Sequence, residues 1–136
     1  MNAIDTNIWI YSHDARDEGK RRRAHELIAT LEPLALPWQV GCEFVAAARK
    51  LEVFGFTRQE AWAALADMEA IADVVLLPDR SVWPMARDLQ ERLGLHFWDA
   101  LLVAGCICGG VETLYSEDFS GHRKIGDLTI VNPFVE

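Results

Sequence analysis

The chain has 136 residues, a formal net charge of −8, and is 51% apolar and 25% charged. That is enough for one domain with a real core, and too apolar for disorder. The negative balance argues against a nucleic-acid partner, because neutralising phosphates supplies most of that binding; acids that hold divalent cations soften the objection.

In chain order, Ala3 to Trp9 is short and apolar around Asp5 and predicts a first strand. Glu18 to Leu31 predicts a helix, with Ala24, Leu27, Ile28 and Leu31 at helical spacing. Its run Lys20-Arg21-Arg22-Arg23 reads first as a solvated opening turn. Pro33 stops that helix, and Leu34-Ala35-Leu36 is a strand closed by Pro37. Gln39 to Leu51 predicts a helix with Val45, Ala48 and Leu51 on its apolar side. Thr57 and Glu60 form a capping box for a helix carrying Ala61, Leu65, Met68 and Ala72. Val74 to Leu77 is a strand, and Ser81 to Leu93 a helix with Val82, Met85, Leu89 and Leu93 inward, Pro84 lying in its first turn. Asp99 opens a helix that is apolar nearly all round and therefore central; Gly109-Gly110 ends it. Glu112 to Tyr115 and Leu128 to Val131 are the last strands.

The longest apolar run, Ala100 to Val111, is too short to span a membrane. The start, Met1-Asn2-Ala3-Ile4-Asp5, carries no basic region and no long apolar segment, so no export signal is expected. Cys42, Cys106 and Cys108 have neither zinc-ligand spacing nor disulfide logic, and are expected as buried free thiols in a reducing cytosol. No repeat or linker interrupts the chain, so residues 1 to 136 are read as a single domain.

Strands that alternate with helices imply a parallel sheet with helices on both faces. In such sheets, ligands sit beyond the C-terminal strand ends, near the point where strand order reverses. Asp5 lies within or just after the first strand and Asp118 just past the strand ending at Tyr115, so both belong at that edge. Asp99 starts the apolar helix, where a capping acid is the competing reading. Glu43 stands among small apolar residues, with a surface acid or a partner for Lys50 as its competing reading. Four carboxylates at one edge repel each other and protonate unless cations are present. Mg²⁺ and Mn²⁺ suit such oxygen ligands, and the chemistry they suit is phosphodiester hydrolysis.

The segments "IDTNIWIY" at 4–11, "CEF" at 42–44, "FWDALLVAGC" at 97–106, "LYSEDF" at 114–119 and "GDLTIVNPF" at 126–134 resemble the PIN-domain ribonucleases, in their VapC-type branch of bacterial toxin–antitoxin modules. The resemblance covers nearly the whole chain; each piece is short, and the ordered set is what carries it. It implies a three-layer α/β/α sandwich around a central, mainly parallel sheet, and a Mg²⁺- or Mn²⁺-dependent endoribonuclease. Asp5, Glu43, Asp99 and Asp118 match the family's acidic quartet. Thr6 and Asn7 match the polar pair after the first acid and are expected to position it. Ser116 matches the supporting hydroxyl, and Glu117 a variable position. The family further implies an RNA substrate, a small VapB-type antitoxin that binds operator DNA, a homodimer and a cytoplasmic location. Lys20, Arg21, Arg22 and Arg23 are candidates for contact with RNA or antitoxin. His96 and Trp98 are read as structural, Trp98 as packing beside a helix start rather than as a base-stacking surface.

Two other readings compete on the residues. A PIN-like binding module without catalysis would show a broken quartet, which is intact here. A metal-dependent phosphatase or receiver domain would want a second acid close to Asp5, where Thr6 and Asn7 stand.

Overall fold

The structure is a computed structural model that describes residues 1–119 and 123–135. Its elements are β1 (Asn2–Ile4), α1 (Thr6–Tyr11), α2 (Glu18–Thr30), β2 (Leu34–Pro37), α3 (Trp38–Ala48), a 3-10 turn (Arg49–Phe54), α4 (Arg58–Ile71), β3 (Val74–Leu76), α5 (Val82–Leu93), α6 (Phe97–Cys108), β4 (Thr113–Tyr115), β5 (Lys124–Ile125) and β6 (Leu128–Val131).

The strands form one sheet in the order β3-β2-β1-β4-β6-β5. All pairings are parallel except β5 with β6. The chain steps outward from β1 through β2 to β3, then returns through α5 and α6 to the other side of β1. Right-handed crossovers therefore put α1 to α4 on one face and α5 with α6 on the other, the expected three-layer sandwich around a mainly parallel sheet. Strand order reverses between β1 and β4. The core is apolar on both sides of the sheet: Ile4, Leu36 and Leu114 from strands meet Ile8, Phe44, Met68, Leu89 and Val103 from helices. No helix among the described residues is long and apolar enough to cross a membrane.

Several predicted boundaries move, each for a local reason. The first strand ends at Ile4 rather than Trp9, because the Asp5 side chain accepts from the Thr6 backbone N–H and caps α1. Ile8 and Trp9 are buried as helix residues instead. The third helix begins at Trp38, directly after Pro37, and tightens into the 3-10 turn after Ala48. The capping box of Thr57 and Glu60 forms as predicted, with both reciprocal hydrogen bonds present. The sequence reading missed β5, a two-residue strand joined to β6 through Gly126-Asp127, where Gly126 adopts φ +59°. Only one of the cysteines is buried: Cys106 is enclosed, whereas Cys42 and Cys108 are exposed. Two residues turn a helix by about 200°, so Cys106 and Cys108 cannot share a buried side of α6.

The end of α6 is packed hard against β3. A Cβ at Gly109 would lie 2.8 Å from Leu76 Cδ1 and 3.0 Å from the Gly105 carbonyl oxygen. Gly109→Ala is therefore expected to destabilise the fold by about 1–3 kcal/mol, the usual range for overpacking. Urea unfolding measures this, and an unchanged midpoint would show that Leu76 yields freely.

Candidate functional site

The ladder between β1 and β4 runs on past the strands. Ile4 is in register with Tyr115, the Asp5 backbone N–H donates to the Tyr115 carbonyl at 2.9 Å, and that of Ser116 to the Val131 carbonyl at 2.9 Å. This fixes Asp5 and Ser116 side by side where strand order reverses. Asp5 is only 6% exposed and Ser116 2%. The Ser116 hydroxyl donates to Asp5 Oδ2 at 2.7 Å, and the Thr6 backbone N–H to Asp5 Oδ1 at 2.7 Å. The same hydroxyl accepts the Asp118 backbone N–H at 3.1 Å, so one oxygen ties two acids to the end of β4.

The other predicted acids face the same space. Asp5, Glu43, Asp99 and Asp118 line a cavity of about 170 Å³ together with Thr6, Asn7 and Gln39. Glu43 comes from the middle of α3, half-buried, with Oε1 accepting from Thr6 Oγ1 and Gln39 Nε2, each at 3.3 Å. Asp118 sits at the exposed rim, with Oδ2 accepting from Asn7 Nδ2 at 3.2 Å. The side chains of Thr6 and Asn7, expected to position Asp5, thus reach Glu43 and Asp118 instead. Asp99 lies in the first turn of α6, whose N-cap is His96 without a side-chain capping bond, so the acid is not used as a cap.

Other expected participants are placed elsewhere. Glu117 points away from the cavity, hydrogen-bonded to the Tyr11 hydroxyl and paired with Lys20 Nζ at 3.2 Å. Lys20 also lies over the rings of Tyr11 and Phe134. Arg21 pairs with Glu18, and Arg23 pairs with Glu26 and donates to the Pro133 carbonyl. Arg22 is exposed, and no residue of the basic run lines the cavity. Trp98 is not packed away as expected: the residue is 61% exposed at the cavity wall. Gln39 was missed in the sequence reading, although it stands four residues before Glu43 on one helix face, a spacing that brings side chains together.

Charge is poorly relieved here. Burial pushes the Asp5 carboxyl up to about 6, against hydrogen bonds from Ser116 and Thr6, and the charges of Asp118 and Glu43 add to the rise. Glu43 is raised first by burial, then by Asp99 and Asp118, with the bonds from Gln39 and Thr6 opposing. Asp118 is raised by partial loss of solvent and by the charges of Glu117 and Asp99. Among the described residues, no Lys, Arg or His lines the cavity to compensate.

A carboxyl raised in the folded state contributes stability below its unfolded pKa and loses it as pH climbs through the folded value. For Asp5 that window runs from 3.8 to about 6. His13, lowered mainly by burial, works in the opposite sense but is common to wild type and variant. In EDTA, the stability of Asp5→Asn relative to wild type is therefore expected to grow by up to about 3 kcal/mol between pH 4 and 7. Paired denaturation curves across that range test this, and a difference that stays flat with pH refutes it.

No curated protein matches the chain significantly in sequence. Solved structures are similar in fold: a toxin–antitoxin complex from Klebsiella pneumoniae, at 19% identity and TM-score 0.70, covers 98% of each chain. VapC20 of Mycobacterium tuberculosis, described as a sarcin–ricin loop cleaving toxin, aligns at 19% identity and TM-score 0.68 over 89% of this chain and 94% of its own. VapBC2 from Rickettsia felis, bound to a promoter DNA fragment, gives 14% identity and TM-score 0.68 over 96% and 97%. The PIN domain family matches residues 3–127, and the chain belongs to that family.

Proposed function

We propose that the chain is a Mg²⁺- or Mn²⁺-dependent endoribonuclease and the toxin of a toxin–antitoxin pair. The observation that carries the reading is the shared cavity of Asp5, Glu43, Asp99 and Asp118 at the reversal of strand order, in a PIN domain. The donor set fits a hard divalent cation, being all carboxylate oxygen and electrostatically unrelieved. Among the described residues no three His, Cys, Asp or Glu side chains already converge as a ligand group. Asp5, Glu43 and Asp118 are each oriented by a neutral hydrogen-bond partner, which leaves their charge available to a cation.

Asp5 and Asp99 are the proposed direct ligands, with Glu43 and Asp118 completing the shell directly or through water. When bound, the cation supplies the positive charge that activates water and stabilises phosphate oxygens. The chain's own residues set geometry and protonation. Ser116 fixes Asp5, Thr6 and Gln39 aim Glu43, and Asn7 aims Asp118. Both hydrogen bonds to Glu43 fall on Oε1, which leaves Oε2 to take a proton from the attacking water. Water is the nucleophile in this reading. The Cys42 thiol, though exposed, is raised by partial loss of solvent and by the Glu43 charge, and Cys106 is pushed up to about 12 by burial, so neither supplies a thiolate near neutral pH.

The toxin assignment draws on the structural neighbours, which are toxins or toxin–antitoxin complexes. The proposed partners are an RNA substrate, a small VapB-type antitoxin, operator DNA reached only through that antitoxin, and a second copy of the chain, all in the cytoplasm. Exposed Val53, Phe54 and Trp62 supply apolar surface suited to protein partners.

Purified protein is expected to cleave RNA with Mg²⁺, and to lose about a hundredfold or more of that rate in EDTA or as Asp5→Asn. Cleavage that survives both treatments would sink the reading. A short reading frame abutting the gene would support the antitoxin partner.

A further inference from the structure

The face beside the carboxylate cavity carries an unusual amount of exposed indole. Trp38, Trp83 and Trp98 are 54%, 67% and 61% exposed, and all three line an open apolar groove of about 790 Å³ between α3, α5 and α6. The groove and the carboxylate cavity are continuous, sharing Gln39, Glu43, Trp98 and Leu102. Trp98 is the one indole that lines both.

Trp98 is also held in place. Its ring packs against Phe97 with centroids 5.0 Å apart and planes at 75°. Its backbone carbonyl accepts from Gln39 Nε2 at 2.9 Å, and the same amide donates to Glu43 Oε1 at 3.3 Å. One side chain therefore ties the backbone of Trp98 to a carboxylate of the cavity beside it.

A polyanion approaching this site faces a difficulty. The chain carries net charge −8, the cavity is lined by acids, and three of the four cations in the basic run are paired with the chain's own acids. Side-chain cations supply little attraction here, and a divalent ion at the acids would engage only the phosphate beside it, so an uncharged source adds affinity for the flanking nucleotides. Stacking is such a source, because every base has a π-face and an indole receives it without reading sequence.

We propose that Trp98 is the stacking platform for an unpaired base next to the phosphodiester held at the carboxylate cavity. Trp83 and Trp38 continue that track along the groove, where Arg80 offers a cation to the strand's backbone. Trp98 is a substrate-binding residue: it touches the base but takes no part in bond making. The assignment rests on the nuclease reading of the adjoining acids.

The test is fluorescence anisotropy of a labelled single-stranded RNA oligonucleotide with Mg²⁺, using the full chain as Asp5→Asn and the same protein carrying Trp98→Ala or Trp98→Phe. Trp98→Ala is expected to weaken binding about tenfold or more, Trp98→Phe to restore most of it, and an RNA duplex to compete poorly. In the cleaving parent, Trp98→Ala is expected to raise KM while leaving kcat within about twofold. Equal binding by the Trp98→Ala protein overturns the proposal, as does absence of binding by the parent. A loss that Phe does not restore, or that accompanies a change in oligomeric state, also overturns it, the latter by making the groove a contact between two copies. Cleavage that needs Asp5 but ignores Trp98 leaves the nuclease reading standing without this one. Trp98-dependent binding without any cleavage does the reverse.

Discussion

A hydroxyl donating to a nearly buried carboxylate is the contact on which the site depends. Asp5 is held out of water at the junction of two central strands, and both its oxygens are occupied, one by Ser116 and one by the Thr6 backbone. A carboxylate in that position without those bonds would be costly. Ser116 can serve it because the parallel register of β1 and β4 brings the two residues level. The same hydroxyl takes the Asp118 backbone N–H, so the start of the following loop is set by the group that steadies Asp5. Removing Ser116 would therefore disturb both acids at once, as members of one network rather than as separate contacts.

From that point the site opens toward solvent in steps. Asp5 lies deepest, Glu43 is half-buried and Asp118 stands at the rim. Each leans on a neutral partner, Ser116, Gln39 with Thr6, or Asn7, and among the described residues none is paired with a cation across the cavity. The fold thus concentrates negative charge and supplies polar groups that orient it without cancelling it. Such an arrangement is unfavourable for the apo chain and suited to the divalent ion in the proposed chemistry. Lys20, the natural candidate to cancel an acid near Asp118, is turned instead to Glu117 and the rings of Tyr11 and Phe134.

Much of this was readable before any coordinates. The alternation of Leu34-Ala35-Leu36, Val74 to Leu77 and Thr113 to Tyr115 with helical periods is enough to call for a parallel sheet, and the open-sheet rule then puts Asp5 and Asp118 together. What resisted reading lay in side-chain direction and in local competition. Asp5 could not be known to cap a helix, so Ile8 and Trp9 passed for strand residues. Glu117 and Asp118 are adjacent acids of the same type, and only the loop geometry sends one to Lys20 and the other to Asn7. Trp98 follows the ordinary expectation for a large apolar residue at the start of a buried helix. That expectation fails because α6, although packed against the sheet and against α5, leaves Leu101, Gly105 and Cys108 along an open groove.

The order of strands also fixes when the site can exist. Asp5 is made well before its partner, because the hydroxyl that steadies it is 111 residues further on. The pairings of β1 with β2 and of β2 with β3 close shorter loops and need nothing beyond Leu76. The pairing with β4 spans most of the chain, and such non-local contacts are the slow ones to form. A ribosome that has reached β3 has produced a chain in which Asp5 stands without Ser116, Asp99 or Asp118. The complete carboxylate cluster is thus a late product of both synthesis and folding, and the half-made protein carries only Asp5 and Glu43 of it.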